Sequence, residues 1–147
     1  MHYQAELSKV EYVTVNTEDH SYEIRLGGQL LTSSEAVEAL APVVSSKKCL
    51  IAGDQNTVGL YQQSLERTLQ AAGATHVETV SFAAGEQSKQ LPTVERLYHE
   101  AVQRELGRDS VAFALGGGVT GDIVGFFAAT YLRGVAFVQV PTSLFAM

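Results

Sequence analysis

The sequence predicts an α/β fold in which an open, mostly parallel sheet carries helices on both faces. From Lys48 to Val140, short apolar runs alternate with longer segments whose apolar residues recur at helical spacing. Strands that alternate with helices in this way favour a parallel sheet joined by helical crossovers. Polar residues and glycines follow the apolar runs, which is where parallel sheets bind their ligands.

An amino-terminal β-hairpin is expected before this sheet. Tyr12–Asn16 reads as a strand, and apolar and charged residues alternate from Tyr22 to Leu26 after a polar turn. Thr32 and Glu35 then resemble the capping box of a short helix that runs until Pro42.

The parallel part of the sheet is expected to hold four strands connected by three helices. Gly73 and Gly107 are expected to end the first two of these helices, because glycine commonly follows the last helical turn. The predicted strands are residues 48–52, 76–82, 111–115 and 135–140.

Composition excludes several classes of protein. The 147 residues suit one domain, and 46% of them are hydrophobic, enough for a sizeable core. A net charge of −6 argues against a nucleic-acid partner, which requires a basic face. No apolar run reaches membrane-spanning length, and the start of the chain has no secretory pattern. The single cysteine, Cys49, lies in a predicted strand, so we expect a core thiol and a cytoplasmic location.

Three glycines form the strongest local motif. Gly116, Gly118 and Gly121 fit G-x-G-x-x-G, and they lie between a predicted strand and a predicted helix. Without Cβ atoms, the backbone N–H groups can approach a diphosphate, and the helix start adds its positive dipole end. We therefore predict a Rossmann-like dinucleotide cradle, although glycines also serve tight packing. The motif lies late in the chain, and no acidic residue follows about 20 residues later to bind a ribose, unlike the common dehydrogenase pattern.

Longer stretches of sequence resemble one family. G-E-Q-S-K at 85–89, the block L-G-G-G-V-T-G-D-I-V-G-F-F-A-A-T-Y-L-R-G at 115–134 and V-Q-V-P-T-S-L at 138–144 closely resemble 3-dehydroquinate synthase, of the sugar-phosphate cyclase superfamily. Order and spacing match the amino-terminal, NAD-binding half of that family. Residues 22–31 also resemble its early Y-x-I-x-x-G-x-x-L-L segment.

The resemblance implies an enzyme that keeps NAD as a resident catalyst. Family members convert 3-deoxy-D-arabino-heptulosonate 7-phosphate to 3-dehydroquinate and phosphate in the shikimate pathway, which leads to the aromatic amino acids. The family also uses a divalent metal, zinc or cobalt, that polarises the oxidised oxygen. Its ligands, one glutamate and two histidines, lie in a later helical domain that these 147 residues do not contain. The resemblance further implies a homodimer for the full-length enzyme.

The resemblance also implies roles for individual residues. Arg133 matches the arginine that binds the substrate phosphate, and it would otherwise be a surface charge. The other matches fall on NAD contacts, each with an ordinary structural alternative such as helix packing, an Asx turn, an i,i+3 ion pair or an N-cap. These cofactor-binding candidates are Asp54, Asn56, Gly85, Glu86, Lys89, Gly117, Gly118, Val119, Thr120, Gly121, Asp122, Thr142 and Ser143.

Other interpretations stay open at the level of sequence. A cyclase that makes valiolone- or inosose-type rings would share this half, and a glycerol-dehydrogenase-like enzyme fits residues 85–89 and 131–134 less well. A non-catalytic nucleotide-binding module is a further alternative. We expect the chain to be an amino-terminal fragment that has no turnover by itself.

Overall fold

The computed structural model describes residues 9–143 and residue 146, and it confirms the predicted α/β architecture. The expected hairpin is present: β1 (Glu11–Asn16) pairs antiparallel with β2 (Ser21–Leu26). The second sheet is parallel and has four strands in the order β4-β3-β5-β6. Its strands are β3 (Lys48–Asp54), β4 (His76–Phe82), β5 (Val111–Gly116) and β6 (Ala136–Pro141).

Helices cover both faces of the parallel sheet. They are α1 (Ser34–Val44), α2 (Gln55–Ala71), α3 (Leu91–Gln103) and α4 (Gly118–Thr130). Short 3₁₀ turns lie at Leu30–Thr32, Glu86–Ser88 and Tyr131–Arg133. Alternate residues of β3 point to opposite faces, as strand geometry requires. Ile51 joins the core under α1 and α2, whereas Leu50 joins the core under α3 and α4.

The strand order creates a switch point between β3 and β5. From β3 the chain moves outward through α2 to β4, and then returns through α3 past β3 to β5. The helices that follow β3 and β5 therefore leave toward opposite faces, α2 to one side and α4 to the other. A crevice opens between two such helices at the carboxyl ends of their strands, and ligands of open α/β sheets bind there.

The boundaries of α1 differ from the prediction. Ser33, not Thr32, caps the helix, because its Oγ accepts from the Ala36 N–H at 3.2 Å. Pro42 does not end the helix but lies in its last turn. There its missing N–H removes one hydrogen bond, the bond to the carbonyl of Glu38 four residues earlier.

The end of α3 was also predicted wrongly. The helix ends at Gln103, before Gly107, and Glu105 takes the left-handed conformation with φ 54°. Its N–H donates to the Val102 carbonyl at 3.0 Å, and the Leu106 N–H donates to the Ala101 carbonyl at 3.0 Å. This is the Schellman arrangement, completed by the buried Leu106. Because a glutamate and not a glycine occupies the left-handed position, the residue types did not indicate where the helix ends.

Cys49 is a core thiol, as predicted. It is completely buried, and desolvation raises the pKa of its thiol to about 11, although nearby Lys47 acts in the opposite direction. The thiolate is therefore scarce at neutral pH, and the sulfur has no access to solvent. We expect Cys49 in the native chain to resist a thiol-reactive dye at pH 8 and to react once urea unfolds the protein. Rapid labelling before unfolding would contradict this burial.

Two glycines offer a matched test of the packing between β3 and β5. A Cβ on Gly53 would collide with the carbonyl oxygen of Leu115, whereas a Cβ on the exposed helical Gly59 would meet nothing within 4 Å. Gly53→Ala should lower the free energy of unfolding by roughly 1–3 kcal/mol, because the neighbouring backbone must shift. Gly59→Ala should raise it by roughly 0.5–1 kcal/mol. Urea denaturation measures the free energy of unfolding of both variants. Equal changes in the two variants would contradict the close approach of β3 and β5.

Candidate dinucleotide-binding site

The carboxyl ends of three neighbouring strands are tied together around the glycine loop. On one side, the Thr57 hydroxyl at the start of α2 lies 3.0 Å from the carbonyl oxygen of Leu115. On the other side, the Thr142 N–H donates to the carbonyl of Gly116 at 3.0 Å. The loop from β5 to α4 is therefore held from β3 and from β6. Thr57 was not among the predicted site residues, because a threonine inside a helical segment carries no distinguishing pattern.

The glycines of the motif have different roles. A Cβ on Gly116 would lie 2.5 Å from Thr120 Oγ1, and a Cβ on Gly121 would collide with the side-chain amide of Gln139. At Gly116 a side chain would displace Thr120, whereas at Gly121 the flexible end of the Gln139 side chain would have to move. A Cβ on Gly117 would approach Ser143 Oγ at 3.3 Å, whereas a Cβ on Gly118 would meet nothing within 4 Å. Gly118 therefore exposes its backbone to open space, at the motif position where a dinucleotide's diphosphate approaches the chain.

The start of α4 presents backbone donors toward that space. Gly117 is the N-cap residue and provides no side-chain hydrogen bond, and the Gly121 N–H is the one that donates back to the Gly117 carbonyl, at 3.0 Å. The N–H groups of residues 118–120 precede this first helical bond and lie at the positive end of the helix dipole. The starts of α1 and α2 differ, because Ser33 and Asp54 cap them. The start of α4 is thus suited to an anion.

Asp54 has a structural role in the described chain. Its Oδ1 accepts from the N–H groups of Asn56 at 2.9 Å and Thr57 at 3.1 Å, and its Oδ2 lies 2.8 Å from the Thr57 hydroxyl. The side chain therefore caps α2, which is the Asx-type alternative considered for it. Asn56 is exposed beside it in the first turn of α2. Both residues lie at the crevice, so the cap and a ligand contact are compatible.

An ion pair joins the segment after β4 to α4. Lys89 Nζ lies 2.7 Å from Asp122 Oδ2 and 3.7 Å from Glu86 Oε1. The hydrogen bond and charge of Asp122, and then the charge of Glu86, raise the pKa of the Lys89 ammonium above its ordinary value. The i,i+3 pair within the segment is present, but the shorter contact is the one to Asp122. Gly85 begins this turn with φ 107°, a conformation that favours glycine.

A shallow groove of about 230 Å³ lies next to this segment, beyond the end of β4. Phe82 and Pro92 contribute apolar surface, and Gln90, Thr93 and Arg96 contribute polar groups. The groove extends the polar edge of the sheet outward from the glycine loop.

Arg133 lies away from the other candidate residues. It follows α4, which runs back along the sheet from the glycine loop, and it precedes the first residue of β6. The Val135 N–H donates to the Ala128 carbonyl at 2.9 Å, which holds this turn against the end of α4. The exposed Arg133 is therefore at the amino-terminal edge of the sheet, whereas Gly118, Asp122 and Thr142 are at the carboxyl edge. The described chain does not bring it to the cradle.

The described residues offer neither a metal centre nor a membrane span. Within 9–143 and 146, no three His, Cys, Asp or Glu side chains gather closely enough to hold a metal ion. In the same part of the chain, no helix has the length and apolar character needed to cross a bilayer.

Comparison with known sequences agrees with the resemblance. Residues 79–147 match the family model described as 3-dehydroquinate synthase N-terminal. A 3-dehydroquinate synthase from Picosynechococcus sp. is 43% identical over 129 residues, which are 88% of this chain and 34% of the relative. The chain thus spans about a third of the length of the curated relatives it matches.

Solved structures of cyclases share the fold. A 2-deoxy-scyllo-inosose synthase, solved with carbaglucose-6-phosphate, NAD⁺ and Co²⁺, superposes with a TM-score of 0.81 at 25% identity and covers 92% of this chain and 36% of its own. The second structure is a 2-epi-5-epi-valiolone synthase from Streptomyces hygroscopicus subsp. jinggangensis, with NAD⁺ and Zn²⁺ bound. It gives a TM-score of 0.70 at 29% identity, and the match covers 90% of this chain and 35% of the synthase.

Substitutions at Asp54 separate its capping role from its charge. Asp54→Ala should lower the free energy of unfolding by about 1–2 kcal/mol, because two helix N–H groups lose their acceptor. Asp54→Ser should stay within about 0.5 kcal/mol of the native chain, since serine is a comparable N-cap. Urea denaturation followed by circular dichroism measures both. Equal losses for the two variants would show that the carboxylate charge, not the cap, stabilises the start of α2.

Proposed function

We propose that the chain is the NAD-binding part of a 3-dehydroquinate synthase, because residues 79–147 match that family's N-terminal model and a relative of that name is 43% identical over 129 residues. The complete enzyme would convert 3-deoxy-D-arabino-heptulosonate 7-phosphate to 3-dehydroquinate and phosphate, a carbon–oxygen lyase step of the shikimate pathway. The 43% identity to a 3-dehydroquinate synthase, against 25% and 29% to the inosose and valiolone synthases, favours this activity over those of the other cyclases. Related ring-forming activities remain the second candidate.

One observation carries the proposal: the open backbone of Gly118 at the uncapped start of α4. A diphosphate needs hydrogen-bond donors and a positive potential, and this helix start supplies both. The chain as a whole carries a net charge of −6, so its overall field does not attract an anion. Local donors must therefore provide the binding, and the start of α4 supplies donors that no side chain caps. The start of α3 also lacks a side-chain cap, but its first turn contains Pro92, which has no N–H.

The strand order suggests how the dinucleotide lies across the sheet. With its diphosphate at Gly117 and Gly118, the adenosine half would extend over the ends of β3 and β4, past the N-cap of α2 and the segment after β4. The nicotinamide half would lie toward the end of β6. The residues proposed to contact NAD are Asp54, Asn56, Gly85, Glu86, Lys89, Gly117, Gly118, Val119, Thr120, Gly121, Asp122, Thr142 and Ser143.

The chemistry that NAD would supply when bound is hydride exchange: a hydride from the carbon that bears a substrate hydroxyl, with the hydroxyl proton lost to a base, and the return of that hydride later. The ketone present in between would make the neighbouring C–H group acidic. The residues of this chain bind and orient the dinucleotide for that exchange. Hydroxyls at Thr142 and Ser143 flank the glycine loop on the side of β6, where they could orient the reactive ring.

Other groups that the reaction needs are proposed to lie outside these 147 residues. The described side chains do not fit a divalent metal, so a later helical domain would supply its glutamate and histidine ligands. Arg133 is proposed to bind the substrate phosphate through its planar guanidinium. Its position at the opposite sheet edge requires that site to form with another segment or another subunit. A cytoplasmic homodimer is proposed for the complete enzyme.

Calorimetric titration of the chain with NAD tests the proposal. The native chain should bind NAD, and Gly118→Val should bind at least about tenfold more weakly, a change of about 1.4 kcal/mol. A Cβ at this position meets nothing within 4 Å in the free protein, so the denaturation midpoint should not fall. Gly59→Ala adds a Cβ to another exposed helical glycine, where it meets nothing within 4 Å, and this variant should bind NAD as the native chain does. Absence of NAD binding to the folded native chain would favour a non-catalytic interaction module.

A further inference from the structure

The amino-terminal hairpin is a small sheet with unpaired outer edges. Within residues 9–143 and 146, β1 and β2 pair with each other and with no further strand. The Arg25 guanidinium donates to the carbonyl of Glu35 at 3.1 Å, which fastens β2 to the start of α1. A two-stranded sheet is marginally stable in water, and an unpaired strand edge is a template for another strand. The hairpin therefore has the capacity to accept a further strand.

The two faces of the hairpin differ in chemistry. On one face Val13 lies opposite Ile24, and the adjacent Tyr22 is 56% exposed. The other face carries Glu23 and Arg25, whose side chains form an ion pair at 2.7 Å. An apolar face that stays partly uncovered gains from a wider sheet, because cross-strand neighbours remove apolar surface from water.

The order of residues in β2 is suited to antiparallel pairing with a second copy of itself. When Ile24 lies on a two-fold axis, Glu23 of each copy lies opposite Arg25 of the other, and such pairs are favourable. Tyr22 then lies opposite Leu26 on the apolar face. A shift of two residues would place like charges opposite each other, and a shift of one would join the apolar face to the charged face. Among these registers, the one centred on Ile24 avoids both faults.

We infer that β2 pairs with β2 of a second copy of the chain across a two-fold axis at Ile24, which makes a four-stranded antiparallel sheet. The inference gives a definite surface to the homodimer that is part of the proposed function, and it does not depend on NAD binding. A second copy is the occupant because the charge complementarity is with the strand's own sequence. Two paired strands bury less area than a stable interface does, so the dimer of this chain should depend on concentration.

A cysteine on the axis tests the register directly. Ile24→Cys would place two thiols opposite each other, with Cα atoms about 4.5–5.5 Å apart, which is within reach of a disulfide. Thr14→Cys is the matched control, because this position on β1 would lie roughly 15 Å from its copy. The native Cys49 is completely buried and does not compete. Mild oxidation should yield covalent dimers of Ile24→Cys at least about tenfold faster than of Thr14→Cys, with circular dichroism showing that both variants are folded.

Charge reversal tests the same pairing without a covalent bond. Glu23→Lys should raise the dimer dissociation constant about tenfold in sedimentation equilibrium, because two pairs of like charges replace two opposite pairs. Adding Arg25→Glu to that variant restores opposite charges and should return the constant to within about threefold of the native value. Glu95→Lys makes the same change of net charge on the exposed surface of α3 and should leave the constant unchanged.

The outcomes separate this inference from the rest of the proposed function. Equal rates of cross-linking for Ile24→Cys and Thr14→Cys would overturn it, as would a native chain that sediments as a monomer at every concentration. A dimer that Glu23→Lys leaves intact forms through another surface, and the inference then fails while the homodimer stands. Calorimetric titration of the native chain with NAD is read independently, so cofactor binding without pairing of β2, or pairing without cofactor binding, identifies which of the two proposals fails.

Discussion

The close approach of β3 and β5 at their carboxyl ends is the constraint on which the site depends. Gly53 lies against the Leu115 carbonyl with no room for a Cβ, and the Thr57 hydroxyl reaches the same oxygen. Because the two strands are this close while α2 and α4 leave toward opposite faces, a crevice forms above them. The uncapped start of α4 opens into that crevice, so the packing of two central strands positions the backbone donors.

The glycine loop combines rigidity with open space. Gly116 lies against Thr120, where a side chain would collide, and Gly121 lies against the end of the Gln139 side chain. Gly118 lies between them in the motif, and a Cβ added to it would meet nothing within 4 Å. Packing glycines and a ligand-facing glycine thus alternate along one short segment. The same backbone can be firmly held and still approach a diphosphate, which reduces the ordering that binding requires.

Much of the fold could be predicted from sequence because the buried strands have a distinct hydrophobic pattern. The apolar runs at β3 and β5 are hydrophobic on both faces, which is typical of central parallel strands. The ends of α1 and α3 could not be predicted from residue preference, since Pro42 is tolerated in a last turn and Glu105 takes a conformation usually left to glycine. In those places, tertiary packing overrides the local signal.

The candidate site was predicted only in part for a similar reason. Sequence spacing indicated an ion pair between Glu86 and Lys89, but the shorter contact, to Asp122, depends on how two separate elements pack. The place of Arg133 depends on the direction and length of α4, which carry it to the opposite edge of the sheet. Residues that follow neighbouring strands can be predicted from sequence to lie at one edge of the sheet. Contacts between loops and helices can be identified only in the assembled fold.

The most direct test of the account is to follow the backbone amide resonances of the chain while NAD is added. The account predicts that the N–H signals of Gly118, Val119 and Thr120 shift most, with smaller shifts at residues 85–89 and 142–143. Shifts confined to other parts of the chain, with the start of α4 unaffected at saturation, would contradict it.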